Sequence, residues 1–242
     1  MGKIQLSVVA PVYNEAEGIE PVVRYWKSVL DSTQIPAEIV LANDGSTDDT
    51  LRIVQEMQKE IPYLRVVSYP ENRGYGYALR TAIQASGGDV VVSLDSDGQF
   101  DLADFSKLLK LYRDQDLDFV TGYRDRKKDT LLRVVADRGL NFIVRVMFGV
   151  KLRDTNCALK LMKGSLIRSL NLEATGYPTP TEITVKLVKL GARTGEAAVQ
   201  HRERQAGQSK LQFAKTSISM FRFLLYLRKR IKLYEARIVH TL

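Results

Sequence analysis

Strand-like and helix-like segments alternate regularly along the first half of the chain. Apolar, β-branched runs predict strands at residues 6–11, 37–42, 64–68, 89–94 and 118–122, and amphipathic segments predict helices at 19–30, 49–61, 75–85 and 102–112. Strands that alternate with helices of this length predict an α/β fold with a mostly parallel sheet flanked by helices. A chain of 242 residues has room for one elaborated domain of this kind.

The alternation loosens after residue 122. A basic loop is followed by a predicted helix at about 130–148, a strand near 158–162, a helix at 181–190 and a strand at 195–201. We expect residues 1–210 to form one domain, in which 1–125 bind a nucleotide and 126–210 bind an acceptor. Residues 211–242 are predicted to form a basic amphipathic helix.

Two aspartates follow the fourth predicted strand. Asp95 and Asp97 are one residue apart and Gln99 comes two residues later, so one strand end carries two carboxylates and an amide oxygen. Hard divalent cations prefer such oxygen ligands, and ligands bind outside the carboxyl ends of strands in open α/β sheets. An ordinary solvated turn is the alternative interpretation of Asp-x-Asp.

The ends of the neighbouring strands are also polar. The first strand leads into Pro11, Tyr13 and Glu15, and the second leads into Asp44. These ends are predicted to share the sheet edge with Asp95, where Asp44 could accept a hydrogen bond from a nucleotide base. Beyond Asp44, Ser46 or Thr47 is expected to cap the helix that begins near residue 49.

A glycine-rich segment opens the third predicted helix. Gly74 and Gly76 suit a close backbone approach at the helix start, which can favour an anion. The Gly-x-Gly follows the third strand, whereas a dinucleotide-binding fold has it after the first strand. A Rossmann dehydrogenase is therefore disfavoured.

Charge and composition narrow the classes of partner. Residues 211–242 contain seven Lys or Arg and one Glu, which is most of the net charge of +8. Charge confined to one terminal helix disfavours a nucleic-acid-binding groove. We expect no transmembrane segment or signal peptide and hence a cytoplasmic protein. The single cysteine, Cys157, is interpreted as a small core residue.

Six motifs occur in the order typical of one family. They are Ala10-Pro11-Val12-Tyr13-Asn14-Glu15, Asn43-Asp44-Gly45-Ser46-Thr47-Asp48, Asn72-Arg73-Gly74-Tyr75-Gly76, Asp95-Ser96-Asp97-Gly98-Gln99, Gly122-Tyr123-Arg124 and Arg204-Gln205-Ala206-Gly207-Gln208-Ser209-Lys210. Over about residues 5–210 the chain resembles family 2 inverting glycosyltransferases of GT-A fold, in particular the dolichyl- and polyprenyl-phosphate sugar synthases. The resemblance implies a GT-A fold and transfer of a sugar from a nucleotide-diphosphate sugar, linked to GDP or UDP.

The resemblance also assigns roles to residues. The catalytic set is Asp97, Arg124, Arg204 and Asp154; the donor- and cofactor-binding set is Pro11, Tyr13, Glu15, Asp44, Asp95, Ser209 and Lys210; and the ligands of a Mg²⁺ or Mn²⁺ are Asp95, Asp97 and Gln99. Arg124, Arg138, Arg204 and Lys210 match positions at which relatives bind phosphates, although a solvated charge explains Arg138 equally well.

The acceptor implied by the resemblance is a polyprenyl phosphate. Such a phosphate is already ionised and needs no base, so Asp154 would orient basic side chains; with a hydroxyl acceptor, Asp154 would be the candidate base. Glu182 matches an acidic family position, with stabilisation of a helix start as its alternative. His201 is interpreted as structural. Two departures are Phe100-Asp101 after Gln99 and the absence of the transmembrane helices found in many relatives.

The C-terminal segment carries an apolar stripe at helical spacing. Its members are Met220, Phe223, Leu227, Ile231, Tyr234 and Ile238, with basic residues largely on other faces. One interpretation places the helix on an anionic cytoplasmic membrane surface that presents the lipid. The other packs the stripe on the core or on a second subunit, as in a homodimer.

The sequence therefore predicts a metal-dependent inverting glycosyltransferase that acts on a polyprenyl phosphate at the cytoplasmic membrane face. A glycosyltransferase with a hydroxyl acceptor is the nearest alternative. A catalytically silent nucleotide-sugar-binding protein is another, although such a protein would be expected to have lost the metal- and phosphate-binding residues that are present here.

Overall fold

The computed structural model describes residues 4–124, 131–202 and 213–239. The strands are β1 Leu6–Val12, β2 Ala37–Asp44, β3 Leu64–Tyr69, β4 Val90–Ser93, β5 Phe119–Arg124, β6 Lys160–Lys163 and β7 Thr194–Val199. The helices are α1 Ile19–Thr33, α2 Thr50–Glu60, α3 Tyr75–Ala85, α4 Phe105–Asp114, α5 Leu131–Phe148, α6 Gly164–Ser169, α7 Thr179–Lys189 and α8 Phe213–Val239. A 3₁₀ turn at Leu102–Asp104 precedes α4.

The strands form one sheet in the order β3-β2-β1-β4-β6-β5-β7. Neighbouring strands are parallel except on the two sides of β6, which pairs antiparallel with β4 and with β5. The carboxyl ends of β1, β2, β4 and β5 and the beginning of β6 therefore meet at one edge. This confirms the mostly parallel sheet and the common edge that the strand-end motifs predicted.

The structure differs from the prediction at the end of β5 and at α6. β5 continues through Arg124, beyond the predicted end at 122, because Gly122–Arg124 pair in register with Ala197–Val199 of β7. Arg124 is thus held on a strand and not in a loop. The short helix α6 was not predicted, since its six residues are too few to show a periodic pattern.

Helices cover the sheet on both faces. Ile19, Val23 and Trp26 of α1 pack with residues of α2 and α4 in one buried cluster. Residues of α3, α5, α6, α7 and α8 pack in a second cluster. Each fully buried aliphatic side chain contributes about 1.5–3 kcal/mol to folding, so both layers stabilise the sheet that positions the loops. Cys157 is fully buried, as the sequence predicted.

Helix α8 packs on the second cluster. Met220, Leu224 and Leu227 are buried there, and Phe223 and Ile231 are partly buried. The members of the predicted stripe whose side chains are described therefore face the protein core, as the packing interpretation predicted. In the described part of the chain, no helix combines the length and the hydropathy that crossing a bilayer requires.

Candidate functional site

The loops after β1 and β2 are joined by hydrogen bonds. The Asn14 backbone N–H donates to Ser46 Oγ over 3.0 Å, and the Thr47 N–H donates to Asn14 Oδ1 over 2.8 Å. The prediction that Ser46 or Thr47 caps α2 is wrong, because both side chains bind the neighbouring loop. Asp48 Oδ1 instead accepts from the Thr50 N–H at the helix start.

The predicted nucleoside-binding residues lie around this pair of loops. Pro11 is buried in β1, and its carbonyl oxygen accepts from Ser96 Oγ over 2.8 Å. Because Ser96 stands between Asp95 and Asp97, this hydrogen bond joins β1 to the loop that carries both aspartates. Tyr13 and Glu15 are half-buried in the loop after β1. The structure therefore places these residues at the edge of the sheet that the sequence predicted.

The carboxylate of Asp44 holds the loop before α3. Its Oδ1 accepts from the Arg73 N–H over 2.8 Å and its Oδ2 from the Gly74 N–H over 2.9 Å, and the side chain is 2% exposed. Gly74 has φ +92°, a conformation that side chains rarely adopt. Asp44 thus shapes the wall of the site, and its contact with a nucleotide base stays a prediction.

The start of α3 is covered by the chain and does not form an open anion-binding surface. The Gly76 N–H donates to the Thr175 carbonyl oxygen over 2.8 Å. A Cβ at Gly74 would lie 2.4 Å from that same oxygen, and one at Gly76 would lie 2.2 Å from the Ala174 carbonyl oxygen. The close backbone approach predicted for these glycines is therefore made by the loop before α7, which occupies the position suggested for an anion.

Asp95 and Asp97 lie on the loop that follows β4, and both are half-buried. Asp95 Oδ1 accepts from the Tyr75 hydroxyl over 2.9 Å, and Asp97 Oδ1 accepts from the Gln99 N–H over 3.1 Å. Gln99 Nε2 donates to the Arg202 carbonyl oxygen over 3.3 Å, which engages the nitrogen end of that amide. The loop thus presents carboxylate and amide oxygens from neighbouring positions.

These oxygens fit a hard divalent cation in their chemistry. Among the residues that the structure describes, no group of three or more His, Cys, Asp or Glu side chains could hold a metal ion. A cation bound by Asp95, Asp97 and Gln99 would therefore require further ligands from water or from the phosphates of a substrate. Shared coordination of this kind is typical of Mg²⁺ at nucleotide sites.

Tyr75 is a residue of this site that the sequence analysis did not single out. Burial and the negative charge of Asp95 raise the pKa of its hydroxyl well above the usual value, so the hydroxyl stays protonated and donates to Asp95. Hydrogen bonds of this kind orient metal ligands. Tyr75 thereby links the glycine-rich segment to the aspartate pair.

We expect Tyr75→Phe to weaken divalent-cation binding about tenfold, because Asp95 loses the hydrogen bond that orients it. The measurement is Mn²⁺ binding in the presence of a nucleoside diphosphate, followed by calorimetry. Tyr63→Phe, which removes a hydroxyl bonded to the exposed Asp31 far from the site, is the matched control. Unchanged Mn²⁺ affinity in Tyr75→Phe would show that Tyr75 does not orient a metal ligand.

The aspartate loop also fixes the residues that lead into the last motif. The Arg202 N–H donates to the Gln99 carbonyl oxygen over 2.8 Å, and Arg202 forms an ion pair with Asp101. The ring of His201 packs edge-on against Phe100, which supports its structural interpretation. Arg204, Ser209 and Lys210 lie outside the described residues, so their assigned roles stay predictions.

Arg124, the last residue of β5, forms a buried ion pair with Asp154, which lies in the loop between α5 and β6. Arg124 Nε and Nη2 lie 2.7 and 3.2 Å from the two carboxylate oxygens of Asp154, and Asp137 of α5 lies 3.5 Å from Nη2. Burial lowers the pKa of the guanidinium, but the charge and hydrogen bonds of Asp154 outweigh it and raise the pKa above its usual value. Arg138, in contrast, is exposed on α5.

The residue after Asp154 is anchored from three directions. The Thr155 N–H and hydroxyl both bond Asn141 Oδ1 of α5, at 2.9 and 2.8 Å. Its carbonyl oxygen accepts from Thr184 Oγ1 of α7 over 3.1 Å and from Lys160 Nζ of β6 over 3.2 Å. The backbone that carries Asp154 is therefore fixed by two helices and a strand.

Lys160 is fully buried beside this loop. Its ammonium group donates to Thr121 Oγ1, Thr155 O and Thr184 Oγ1 over 2.9–3.2 Å, all of them uncharged oxygens. Burial lowers the pKa of Lys160 to about 8, with the charge of Asp154 opposing and that of Arg124 adding to the shift. Burying an ammonium without a carboxylate partner costs stability.

The pH dependence of unfolding should reveal this cost. In the unfolded chain Lys160 keeps a pKa near 10.5, so the unfolded state binds more protons between pH 8 and 10.5. The buried charge therefore destabilises the fold below pH 8, by on the order of 3 kcal/mol, and stability recovers as the pH rises toward 10.5. We expect Lys160→Met to lose this upward contribution to the slope of unfolding free energy against pH in denaturant titrations. The contributions of Cys157 and the buried tyrosines, whose pKa values are raised and which titrate in both chains, cancel in the comparison. The Lys163→Met variant, which removes an exposed lysine, should keep this contribution. An unaltered slope in Lys160→Met would show that the pKa of Lys160 is not lowered.

Glu182 of α7 is a structural anchor for the loop that precedes this helix. Its carboxylate is fully buried, accepts from the Glu173 and Ala174 N–H groups over 2.9 and 2.8 Å and forms an ion pair with Lys186. It therefore fixes the loop that covers the start of α3. These contacts go beyond the stabilisation of a helix start that the sequence offered as an interpretation.

The site contains three residues that sequence reasoning did not identify: Tyr75, Asp137 and Lys160. Lys160 carried the clearest signal, because an ionisable residue within the apolar run Ala158–Met162 is uncommon in a buried strand. Tyr75 stands inside a motif that was recognised only for its glycines. Asp137 gave no signal, since a charged residue on an amphipathic helix is ordinary.

Comparison with protein families finds that the profile described as glycosyl transferase family 2 matches residues 7–168. A dodecaprenyl-phosphate galacturonate synthase of Rhizobium johnstonii is 30% identical over 215 residues, which cover 88% of this chain and 63% of the relative. An undecaprenyl-phosphate 4-deoxy-4-formamido-L-arabinose transferase of Pectobacterium carotovorum is 29% identical over 90% of this chain and 66% of its own length. The chain thus spans less than two thirds of these relatives.

Solved structures with the same fold include glucosyl-3-phosphoglycerate synthase from Mycobacterium tuberculosis. Its complex with phosphoglyceric acid superposes with a TM-score of 0.73 at 23% identity, over 93% of this chain and 80% of that chain. Its complex with Mn²⁺, UDP-glucose and phosphoglyceric acid gives a TM-score of 0.70 at 22% identity, with the same coverage of both chains. At this level of identity the likeness establishes the GT-A fold.

Proposed function

Because the chain belongs to glycosyl transferase family 2, we propose that it transfers a sugar from a nucleotide-diphosphate sugar to a polyprenyl phosphate. The observation that carries the proposal is the half-buried pair Asp95 and Asp97 at the edge of the sheet, beside the loops after β1 and β2. Relatives named as polyprenyl-phosphate sugar transferases align with most of this chain, which supports the acceptor class.

The nucleoside of the donor is proposed to bind at the first two strand ends. Pro11, Tyr13 and Glu15 lie at the end of β1, which pairs with the end of β2 that carries Asp44. Hydrogen bonds of Asn14 with Ser46 and Thr47 join the two loops. A preformed pocket lowers the ordering cost of binding. The donor diphosphate would then extend toward the loop that carries Asp95.

Asp95, Asp97 and Gln99 are proposed to hold a Mg²⁺ or Mn²⁺ together with the donor diphosphate. Such a cation, when bound, neutralises negative charge on the leaving nucleoside diphosphate. The contribution of the chain is to hold its ligands in place, through the Tyr75 hydroxyl on Asp95 and the Gln99 N–H on Asp97.

The reaction is proposed to be a single displacement that inverts the anomeric carbon. An oxygen of the acceptor phosphate forms the new bond to that carbon, while the bond to the β-phosphate oxygen breaks and the nucleoside diphosphate leaves. The acceptor phosphate is largely dianionic at neutral pH and needs no base to become a nucleophile. Bringing two anions together is the main obstacle, since like unit charges 4 Å apart repel by about 4 kcal/mol at an effective dielectric of 20.

Arg124 is proposed to reduce this repulsion together with Arg204 and Lys210. Its guanidinium is 11% exposed and oriented by Asp154, with Asp137 3.5 Å away, so these carboxylates balance its charge and its contribution would be N–H donors held in a fixed orientation. The ion pair also bears on the alternative with a hydroxyl acceptor, which would need Asp154 as base. Both Asp154 oxygens already bind Arg124, and this arrangement favours the phosphate acceptor.

The place of action is proposed to be the cytoplasmic face of the membrane, because a polyprenyl phosphate resides in a bilayer. Nucleotide sugars are polar and would reach the site from the aqueous side. A catalytically silent nucleotide-sugar-binding protein is disfavoured, because Asp95, Asp97, Gln99 and Arg124 are all present.

The experiment is release of nucleoside diphosphate from a panel of GDP- and UDP-sugars with Mg²⁺ or Mn²⁺. Each donor is tested alone, with a short-chain polyprenyl phosphate in detergent and with the matching polyprenol. We expect release that requires the phosphate. Release that requires the free hydroxyl would establish the alternative acceptor, and absence of donor binding would overturn the assignment as an enzyme.

A further inference from the structure

Helix α8 presents three distinct faces. One face, with Met220, Leu224 and Leu227, is buried against the core. A second face is tied to the loop before α7, since the Tyr226 hydroxyl donates to Glu173 Oε1 over 2.7 Å and Arg230 forms an ion pair with the same carboxylate at 3.2 Å. These contacts fix the rotation of the helix about its axis and so determine which side chains point outward.

The outward face begins with large apolar side chains. Ile218, Phe221 and Leu225 follow at spacings of three and four residues and are 61%, 49% and 48% exposed. None of them belongs to the stripe that the sequence analysis identified. Exposed apolar side chains aligned on one helix face indicate an interaction surface more strongly than scattered ones do.

The same face becomes basic toward its C-terminal end. Arg228, Lys229 and Lys232 are exposed there and line a shallow pocket of about 440 Å³ with Leu225 and Leu233. Arg222 is exposed beside Phe221. No Asp or Glu occurs between residues 213 and 233. The charge of this surface is therefore complementary to an anionic partner along its whole described length.

The neighbouring helix α5 adds to this surface chemistry. Phe142 and Val146, four residues apart, are 66% and 69% exposed, and Arg138 and Arg145 are also exposed. The opposite side of α5 packs through Val144 and Phe148 into the same core cluster as α8. Both helices thus lie on one side of the sheet and expose apolar residues beside arginines.

We propose that the outward face of α8, with Ile218, Phe221, Leu225 and the basic residues that follow, docks on a bilayer containing anionic lipid, with α5 alongside. The inference rests on the proposed function, because a lipid-borne acceptor must be reached at a membrane. Aromatic and aliphatic side chains insert at the headgroup boundary while arginines and lysines bind lipid phosphates. A nucleic acid would match the charge but not the exposed apolar residues.

The test is flotation of the full chain with vesicles of phosphatidylcholine containing 30% phosphatidylglycerol, compared with phosphatidylcholine alone. We expect binding to the anionic vesicles that weakens with salt. Phe221→Ser combined with Leu225→Ser should lower the partition coefficient at least tenfold, and Lys229→Glu combined with Lys232→Glu should abolish the preference for phosphatidylglycerol. Leu190→Ser, which removes a 54% exposed leucine after α7, is the matched control.

Two further measurements distinguish loss of membrane docking from unfolding of a variant and from failure of the proposed function. Thermal unfolding should be the same in all variants, since the substituted side chains are exposed. Transfer to a short-chain polyprenyl phosphate in detergent should also be unchanged; if no transfer occurs while vesicle binding holds, the proposed function fails and the docking surface stands. Vesicle binding unaltered in both double variants, or a dimer that these variants dissociate, would overturn the membrane assignment.

Discussion

Asp97→Asn should abolish divalent-dependent transfer while leaving the fold intact. The substitution removes a negative charge from a proposed cation site, and loss of several kcal/mol of charge stabilisation corresponds to a fall of about 10³-fold in kcat/KM. The fold should survive because Asp97 is half-buried and an asparagine oxygen can still accept from the Gln99 N–H. The measurement is release of nucleoside diphosphate as a function of Mn²⁺ concentration, with thermal unfolding in parallel.

The control for this prediction is Asp114→Asn on α4. Asp114 is exposed and forms an ion pair with Lys110 of the same helix, so the same change of charge occurs far from the site. Its activity should equal that of the parent chain. Full activity of Asp97→Asn at ordinary Mn²⁺ concentrations would refute the role of Asp97 as a metal ligand.

Asp154→Asn should lower the free energy of unfolding by about 3 kcal/mol. The variant leaves the Arg124 guanidinium buried without its bidentate partner, and removing one member of a buried ion pair costs about 3–5 kcal/mol. Asp137, which lies 3.5 Å from Arg124 Nη2, compensates in part. Transfer activity should fall as well, because Arg124 loses the contact that orients it. Urea titration and steady-state kinetics measure the two effects.

A double-mutant cycle with Arg124→Met isolates the interaction from other consequences of each change. We expect the double variant to be more stable than the sum of the single losses implies, since neither charge is then left unpaired. If Asp154→Asn keeps its stability and loses about 10²–10⁴-fold in activity, Asp154 acts as a general base instead. That result would favour a hydroxyl acceptor.

The alternating sequence pattern was sufficient to predict the order of strands and helices in the first half of the chain and the strand ends that share one edge of the sheet. Buried parallel strands are apolar throughout, so β1, β2 and β4 stand out, and the first polar residues after them mark one edge of the sheet. Asp95 and Asp97 could therefore be placed beside the loops after β1 and β2 from the strand pattern alone. β6 runs antiparallel, and nothing in its four residues indicated that direction.

The features that the sequence did not predict depend on contacts between distant segments. The resemblance implied that Asp154 orients a basic side chain, but not that Arg124 pairs with both Asp154 and Asp137, which joins β5, α5 and the loop before β6. Periodicity carries no information about which charges meet. Gly74 and Gly76 were recognised as sites of close approach, but their partner is the Thr175 backbone and not a ligand. The local sequence pattern predicts where another group approaches the backbone closely, whereas the tertiary fold determines which group that is.

The C-terminal helix illustrates the same limit. Met220 and Leu227 mark one apolar face correctly, and that face packs on the core. Ile218, Phe221 and Leu225 form another face at equally regular spacing, so a helix with two apolar faces cannot be oriented from its sequence alone. The hydrogen bond of Tyr226 and the ion pair of Arg230 with Glu173 fix the orientation.

The most direct test of the account is identification of the product formed from a nucleotide sugar and a short-chain polyprenyl phosphate. The account predicts, by mass spectrometry, a sugar linked through the lipid phosphate and one nucleoside diphosphate released per transfer. The anomeric configuration, measured by nuclear magnetic resonance, should be inverted relative to the donor. A product linked through a hydroxyl, or one with the donor configuration retained, would contradict the central claim.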